Sequence, residues 1–277
     1  MKKILLALSL GCAVFNLSAQ PLKTPAPSST QTIKQELGLG SIELSYSRPN
    51  VKGRKIFGDL VPFGKVWRTG ANDATTLTFS DEVTIGGTKI PAGKYGLLSI
   101  PDADSWTIII TKQLDVTSPA AYKPSEDVVR VKVPTATMKE PLETFSMQFG
   151  DVKATSTNLY MLWANTIVAL PITTEIDSKI SAQIKSVMEN DNRPYFGAAM
   201  YYMDNGKDLN QALAWFNKAA EQNPAAFWVL HQKANCLAKL GKKEEARAAA
   251  LKSIEIAKSA KNDDYVALNE KLLATLK

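Results

Sequence analysis

Six basic side chains, Arg48, Lys52, Arg54, Lys55, Lys65 and Arg68, fall within residues 48–68 against a single acid, Asp59. Trp67 stands beside Arg68, and Asn72 and Asp73 follow closely. Arginine presents a planar fork that fits carboxylate or phosphate, and tryptophan offers a flat face to a sugar or a cation. Asn and Asp supply donors and acceptors for hydroxyl groups. Gly53, Gly58, Gly64 and Gly70 allow the backbone to turn tightly around a ligand. Arg48, Arg54, Trp67, Arg68, Asn72 and Asp73 are therefore the candidate ligand-binding residues, for a small anionic or carbohydrate ligand. A competing reading uses the same residues for folding. Ile56, Phe57, Leu60, Val61, Phe63 and Val66 would cover one end of a β fold, with the arginines satisfying buried carbonyls or pairing with Asp59 and Asp73.

Other chemistry finds less support in the residue types. The only histidine, His231, lies five positions from Cys236, a poor match to one helical face, so no metal site is expected. Asp102 and Asp104 lack the glycine and the distant glutamate of a calcium loop and read as a solvated hairpin turn. No Gly-x-Ser-x-Gly elbow occurs, and the first 170 or so residues hold no His to activate a hydroxyl. Lys52, Lys55 and Lys65 lie among hydroxyls without a spacing that selects one. No catalytic residue and no cofactor is assigned, and the reading leans away from an enzyme.

The elements around this segment change grammar along the chain. Met1-Lys2-Lys3, the apolar run from Ile4 to Leu17 and Ser18-Ala19-Gln20 describe a secretory signal peptide cleaved near Ala19. The run is too short for a permanent transmembrane anchor. Residues 20–38 read as a flexible tether, because Pro, Ser, Thr and Ala dominate its start. From Ser41 the apolar residues alternate, as in Ile42, Leu44 and Tyr46, and again in Leu77 and Phe79. Further strands are expected at 83–85, 95–100, 106–111, 128–133, 144–149, 158–163 and 167–170, with Gly86-Gly87 as a hairpin turn. After Pro171 the period becomes 3.6, with helices expected near 177–189, 194–204, 209–221, 227–240, 244–259 and 264–276. The fold class is thus α+β in two domains. An N-terminal antiparallel β-sandwich, jelly-roll-like, spans 39–172, and C-terminal α-helical hairpin repeats span 173–277.

Two resemblances sharpen this outline. Ala199, Tyr202, Ala212, Phe216, Ala219 and Pro224, then Ala234, Leu237, Gly241, Ala246, Ala250 and Ser253, resemble the signature positions of a tetratricopeptide repeat. The second unit departs in having Ala250 where the first has Phe216. RPNVKGRKIFGDLVPFGKVWRTGANDAT, followed by TIGGTKIPAGKYGLLSIP, resembles a family of exported bacterial proteins sharing domain of unknown function twenty-nine-eleven. That likeness covers Leu39 to Ile172 and implies export without implying an activity.

The charge balance narrows the partners. The formal net charge is +6, and cleavage near Ala19 would remove Lys2 and Lys3 from it. An imbalance this mild, without a concentrated basic face over the chain, argues against nucleic acid. The sequence thus describes an exported, periplasmic or outer-membrane-associated binding protein, its β domain taking an envelope ligand and its helical repeats docking a protein. An envelope hydrolase and an assembly scaffold are the alternatives.

Overall fold

The structure is a computed structural model that describes residues 24–188 and 194–276. The signal peptide expected at residues 1–19, the first part of the expected tether and the last residue of the expected first helix lie outside the described residues. Two compact units divide between Glu175 and Ile176.

Among the described residues, the first unit holds nine strands. These are β1 (Ser29–Leu37), β2 (Gly40–Arg48), β3 (Thr76–Phe79), β4 (Val83–Ile85), β5 (Thr88–Ile90), β6 (Gly93–Pro101), β7 (Ser105–Thr111), β8 (Asp127–Gly150) and β9 (Ser156–Thr173). They are antiparallel and lie in the order β1-β2-β3-β6-β7-β8-β9-β4-β5, a meander with the β4-β5 hairpin carried to the far edge. β8 serves two layers: Asp127 to Pro134 pair with β7, and Thr135 to Gly150 pair with β9. The alternating residues Ile42, Leu44 and Tyr46 of β2 face the same core as Phe145 and Met147 of β8 and Leu159, Met161 and Trp163 of β9. Tyr46 links the layers directly. Its ring meets Phe145 edge-on at 5.8 Å, and its hydroxyl accepts from the Met147 amide at 2.8 Å. Burying each such aromatic or aliphatic side chain contributes about 1.5–3 kcal/mol.

One expectation is corrected here. The tether expected over residues 20–38 gives way to β1, which pairs with β2 from Ser29↔Arg48 to Leu37↔Gly40. Along β1 only Leu37 is buried, so an edge strand wetted on most of its surface carries no strong alternation to read.

The second unit contains α1 (Asp177–Met188), α2 (Tyr195–Asp204), α3 (Leu209–Gln222), α4 (Phe227–Lys239), α5 (Lys243–Ser259) and α6 (Asp263–Thr275). Asp208 caps α3 by accepting from the Asn210 and Gln211 amides, and Asn262 caps α6 by accepting from the Tyr265 amide. Ala199, Ala212, Phe216, Ala234, Ala246 and Ala250 form its buried centre, and the small alanine side chains let neighbouring helices approach. A polar network is also enclosed. His231 Nδ1 lies 2.9 Å from Asn269 Oδ1, Asn269 Nδ2 donates to Ser253 Oγ at 2.9 Å, and Ser253 Oγ donates to the Phe227 carbonyl at 2.7 Å. Because the other imidazole nitrogen faces the Asn235 amide at 3.1 Å, the arrangement fits the tautomer with its proton on Nδ1.

Candidate functional site

The segment between β2 and β3 leaves the sheet at Pro49 and rejoins it at Thr76 with no regular strand between. It is pinned at its start by the Val51 amide donating to the Glu143 carbonyl and the Phe145 amide donating to Pro49, both at 2.8 Å. Ile56 and Val61 enter the core, and the Val61 amide donates to the Ile56 carbonyl at 2.9 Å to close a tight turn. Further on, Trp67 and Ser99 exchange two backbone hydrogen bonds at 2.7 and 2.9 Å, so the loop briefly extends the track of β3 along β6. The polar interior of this join is satisfied. The Thr69 hydroxyl meets Ser99 at 2.9 Å, and the Thr75 hydroxyl donates to the Thr69 carbonyl at 2.8 Å.

Alternation across this short extended stretch sends neighbouring side chains opposite ways. Trp67 turns inward. Its ring lies parallel to Trp163 at 5.8 Å, meets Phe145 at 5.2 Å, and is flanked by Phe57 and Trp106. Its Nε1 donates to the Gly70 carbonyl at 3.1 Å. Val66 packs on the outer face with Leu98, Ile109 and Val116. Arg68 reaches the segment that follows β7, where its Nη1 donates to the Thr117 carbonyl, while its buried Nε has no partner among the described residues.

Beside these residues opens a cavity of about 460 Å³. Its walls come from Pro27 and Ser28 ahead of β1, from Pro49, Asn50, Lys52, Arg54, Leu60–Pro62, Lys65–Arg68, Gly70 and Ala71 of the loop, and from Thr117–Pro119, and Trp163 reaches it from β9. Lys52, Arg54, Lys65 and Arg68 line it, and no acid does. None of these four forms an ion pair among the described residues. Arg54 is steadied by its own loop, with Nε donating to Val51 at 3.0 Å and Nη2 to Asn50 at 2.6 Å. The hydroxyls on the lining belong to Ser28, Thr117 and Ser118. Cations without internal counter-ions, beside fixed amide and hydroxyl groups, can hold an anion.

Three of the six candidate residues, Arg54, Trp67 and Arg68, are brought together at the cavity. The others are placed elsewhere. Arg48 ties β2 to β8, its Nε donating to the Phe145 carbonyl at 3.1 Å and its Nη2 to Ser146 Oγ at 2.6 Å. Asn72 takes a left-handed backbone (φ 54°) and donates to the Ser28 carbonyl at 2.9 Å, so it secures a wall of the cavity without lining it. Asp73 is exposed and lies outside the lining. Trp67 is half-buried at the cavity wall, its ring stacked on Trp163 and met edge-on by Phe57, Trp106 and Phe145. The candidate set omitted Lys52 and Lys65, whose signal was the charge imbalance of the loop itself. It also omitted Ser28, Thr117 and Trp163, whose distance along the chain carries no signal.

The comparisons bear on this same unit. Neither the curated proteins nor the solved structures include a match to the chain. A family model described as protein of unknown function (DUF2911) matches residues 28–172. The match takes in the strands from β1 to β9, short only of Thr173, and, apart from Pro27, the whole cavity lining. With more than half of its length matched, the chain belongs to the DUF2911 family.

Proposed function

We infer that this is an exported, non-enzymatic binding protein whose β unit holds a small anion of the cell envelope in the cationic cavity. The observation that carries the reading is the lining itself, which has four basic side chains, no acid and no internal ion pair. Anionic ligands are favoured over neutral sugars because every charged side chain on the lining is basic. A hydrolase would need a nucleophile with its base or a pair of carboxylates, and the lining offers hydroxyls and amines without His, Cys or carboxylate. Export rests on the Lys2-Lys3 start and the apolar run ending at Ala19.

The helical unit is read as tetratricopeptide-like and as the docking site of a protein partner. The buried alanines at the repeat positions and an open cleft beside Met203, Gln232, Asn235 and Leu272 support that assignment.

Calorimetric titration with inorganic phosphate, glycerol phosphate and glucuronate tests the anion site. Lys65 is exposed and makes no hydrogen bond or ion pair among the described residues. Lys65→Ala should therefore weaken binding by about 1–2 kcal/mol with an unchanged melting temperature. A wild-type protein that binds none of these anions overturns the reading.

A further inference from the structure

The rim of the cavity carries a feature that a site for a freely diffusing anion does not need. Leu60 and Phe63 leave 45% and 42% of their surface in water, on a turn whose Ile56 and Val61 are buried and whose Phe57 is half-buried. The turn holds them there. The Gly58 amide donates to the Val61 carbonyl at 2.9 Å, the Leu60 amide to Lys55 at 3.3 Å and the Gly64 amide to Pro101 at 2.9 Å. Gly58 has φ +80°, and the Phe63 ring lies so close that a Cβ on Gly58 would sit 2.8 Å from it. Exposure of these side chains is thus enforced by the backbone. Leu60 and Lys65 both line the cavity, so apolar and cationic side chains share one rim. Across residues 52–65 the cations Lys52, Arg54, Lys55 and Lys65 face one acid, the exposed Asp59.

We propose that this rim docks on a bilayer surface rich in anionic phospholipid. Leu60 and Phe63 enter the boundary between headgroups and acyl chains, Lys52, Arg54 and Lys65 meet the lipid phosphates, and the cavity takes one headgroup. Buried apolar area and attraction to anionic lipid act together in such peripheral contacts. No helix among the described residues is long and apolar enough to cross a membrane. This inference rests on the anion reading of the cavity, and it names the bilayer as the anion's source.

Co-sedimentation of the purified protein with phosphatidylglycerol-rich vesicles and with neutral phosphatidylcholine vesicles provides the test. The neutral arm sets the baseline for apolar contact without lipid charge. Binding above that baseline is expected, falling steeply with added salt. Phe63→Ser should lower the partition coefficient about fivefold, as loss of one partly inserted aromatic side chain implies. Phe63 is outside the cavity lining, so the same variant should bind glycerol phosphate as tightly as wild type. Phe63→Trp should show a blue-shifted emission on anionic vesicles alone. Glycerol phosphate binding without vesicle binding overturns the membrane proposal and leaves the anion site standing. Failure to bind either probe overturns both, and vesicle binding that ignores Phe63→Ser removes the apolar rim from the contact.

Discussion

The hydroxyl of Tyr122 donates to Asp127 Oδ2 at 2.5 Å, and Arg130 Nε donates to the same oxygen at 2.7 Å. Burial first, and the Asp127 hydrogen bond second, push the Tyr122 phenol up to about 12. The fold therefore favours the neutral phenol over the phenolate. Its contribution to stability is complete below pH of about 10, where the unfolded phenol begins to ionise, and is lost as pH rises toward 12. Tyr122→Phe should melt lower than wild type at neutral pH and show a shallower loss of stability between pH 10 and 12, read by denaturant titration across that range. Partners at this scale decide roles that residue type leaves open. Arg48, Arg54 and Arg68 share one chemistry, yet Arg48 is spent on the β8 backbone and Ser146, about 97 positions away. Arg68 is anchored on Thr117. The charge excess of the loop was legible in the sequence. Which arginines were already committed was not, because their acceptors lie in distant segments.

Gly96 of β6 is required by the segment that crosses its outer face. A Cβ there would lie 2.2 Å from the Gln113 carbonyl oxygen, and backbone cannot step aside as a side chain can. Gly96→Ala should cost about 1–3 kcal/mol and, by displacing the approach to Thr117, weaken anion binding as well; chemical denaturation and calorimetry read the two effects. In the helical unit Asn269 of α6 joins α4 through His231 and α5 through Ser253. Asn269→Ala leaves the buried His231 Nδ1 without its partner and takes one of two hydrogen bonds from Ser253 Oγ, and a loss of about 2–3 kcal/mol in denaturant unfolding is expected. The helices were legible to within a residue or two because their apolar stripes and caps are local. The long strands were less so. β8 reads as two strands because its middle, residues 134–144, is largely wetted while it passes between layers, with register shifts around Leu142. β9 is interrupted in the same way by Ala164, held at φ 49° beside the exposed Asn165.

At the scale of the whole chain, two cores of different composition are built on the two sides of Glu175/Ile176. Limited proteolysis just after Thr174, whose amide and hydroxyl are bonded to Thr155 and Glu82, should release two folded fragments. Circular dichroism should read the first as strand and the second as helix; an unfolded fragment would show that its core depends on the other. The cavity belongs wholly to the first unit, and its making explains why only part of it could be read from sequence. A basic, glycine-rich loop is a local signal, but the opposite walls come from Pro27, Ser28, Thr117 and Trp163, brought in by strand pairing alone. One consequence concerns how the protein should be handled. Pro27 and Ser28 form a wall of the cavity, so the chain enters its first strand beside the opening of the proposed anion site. A label on residue 20 is leashed to that opening by at most about 25 Å of extended chain. A small dye there would report occupancy, a bulky N-terminal fusion would obstruct the opening, and affinity tags belong at the other terminus.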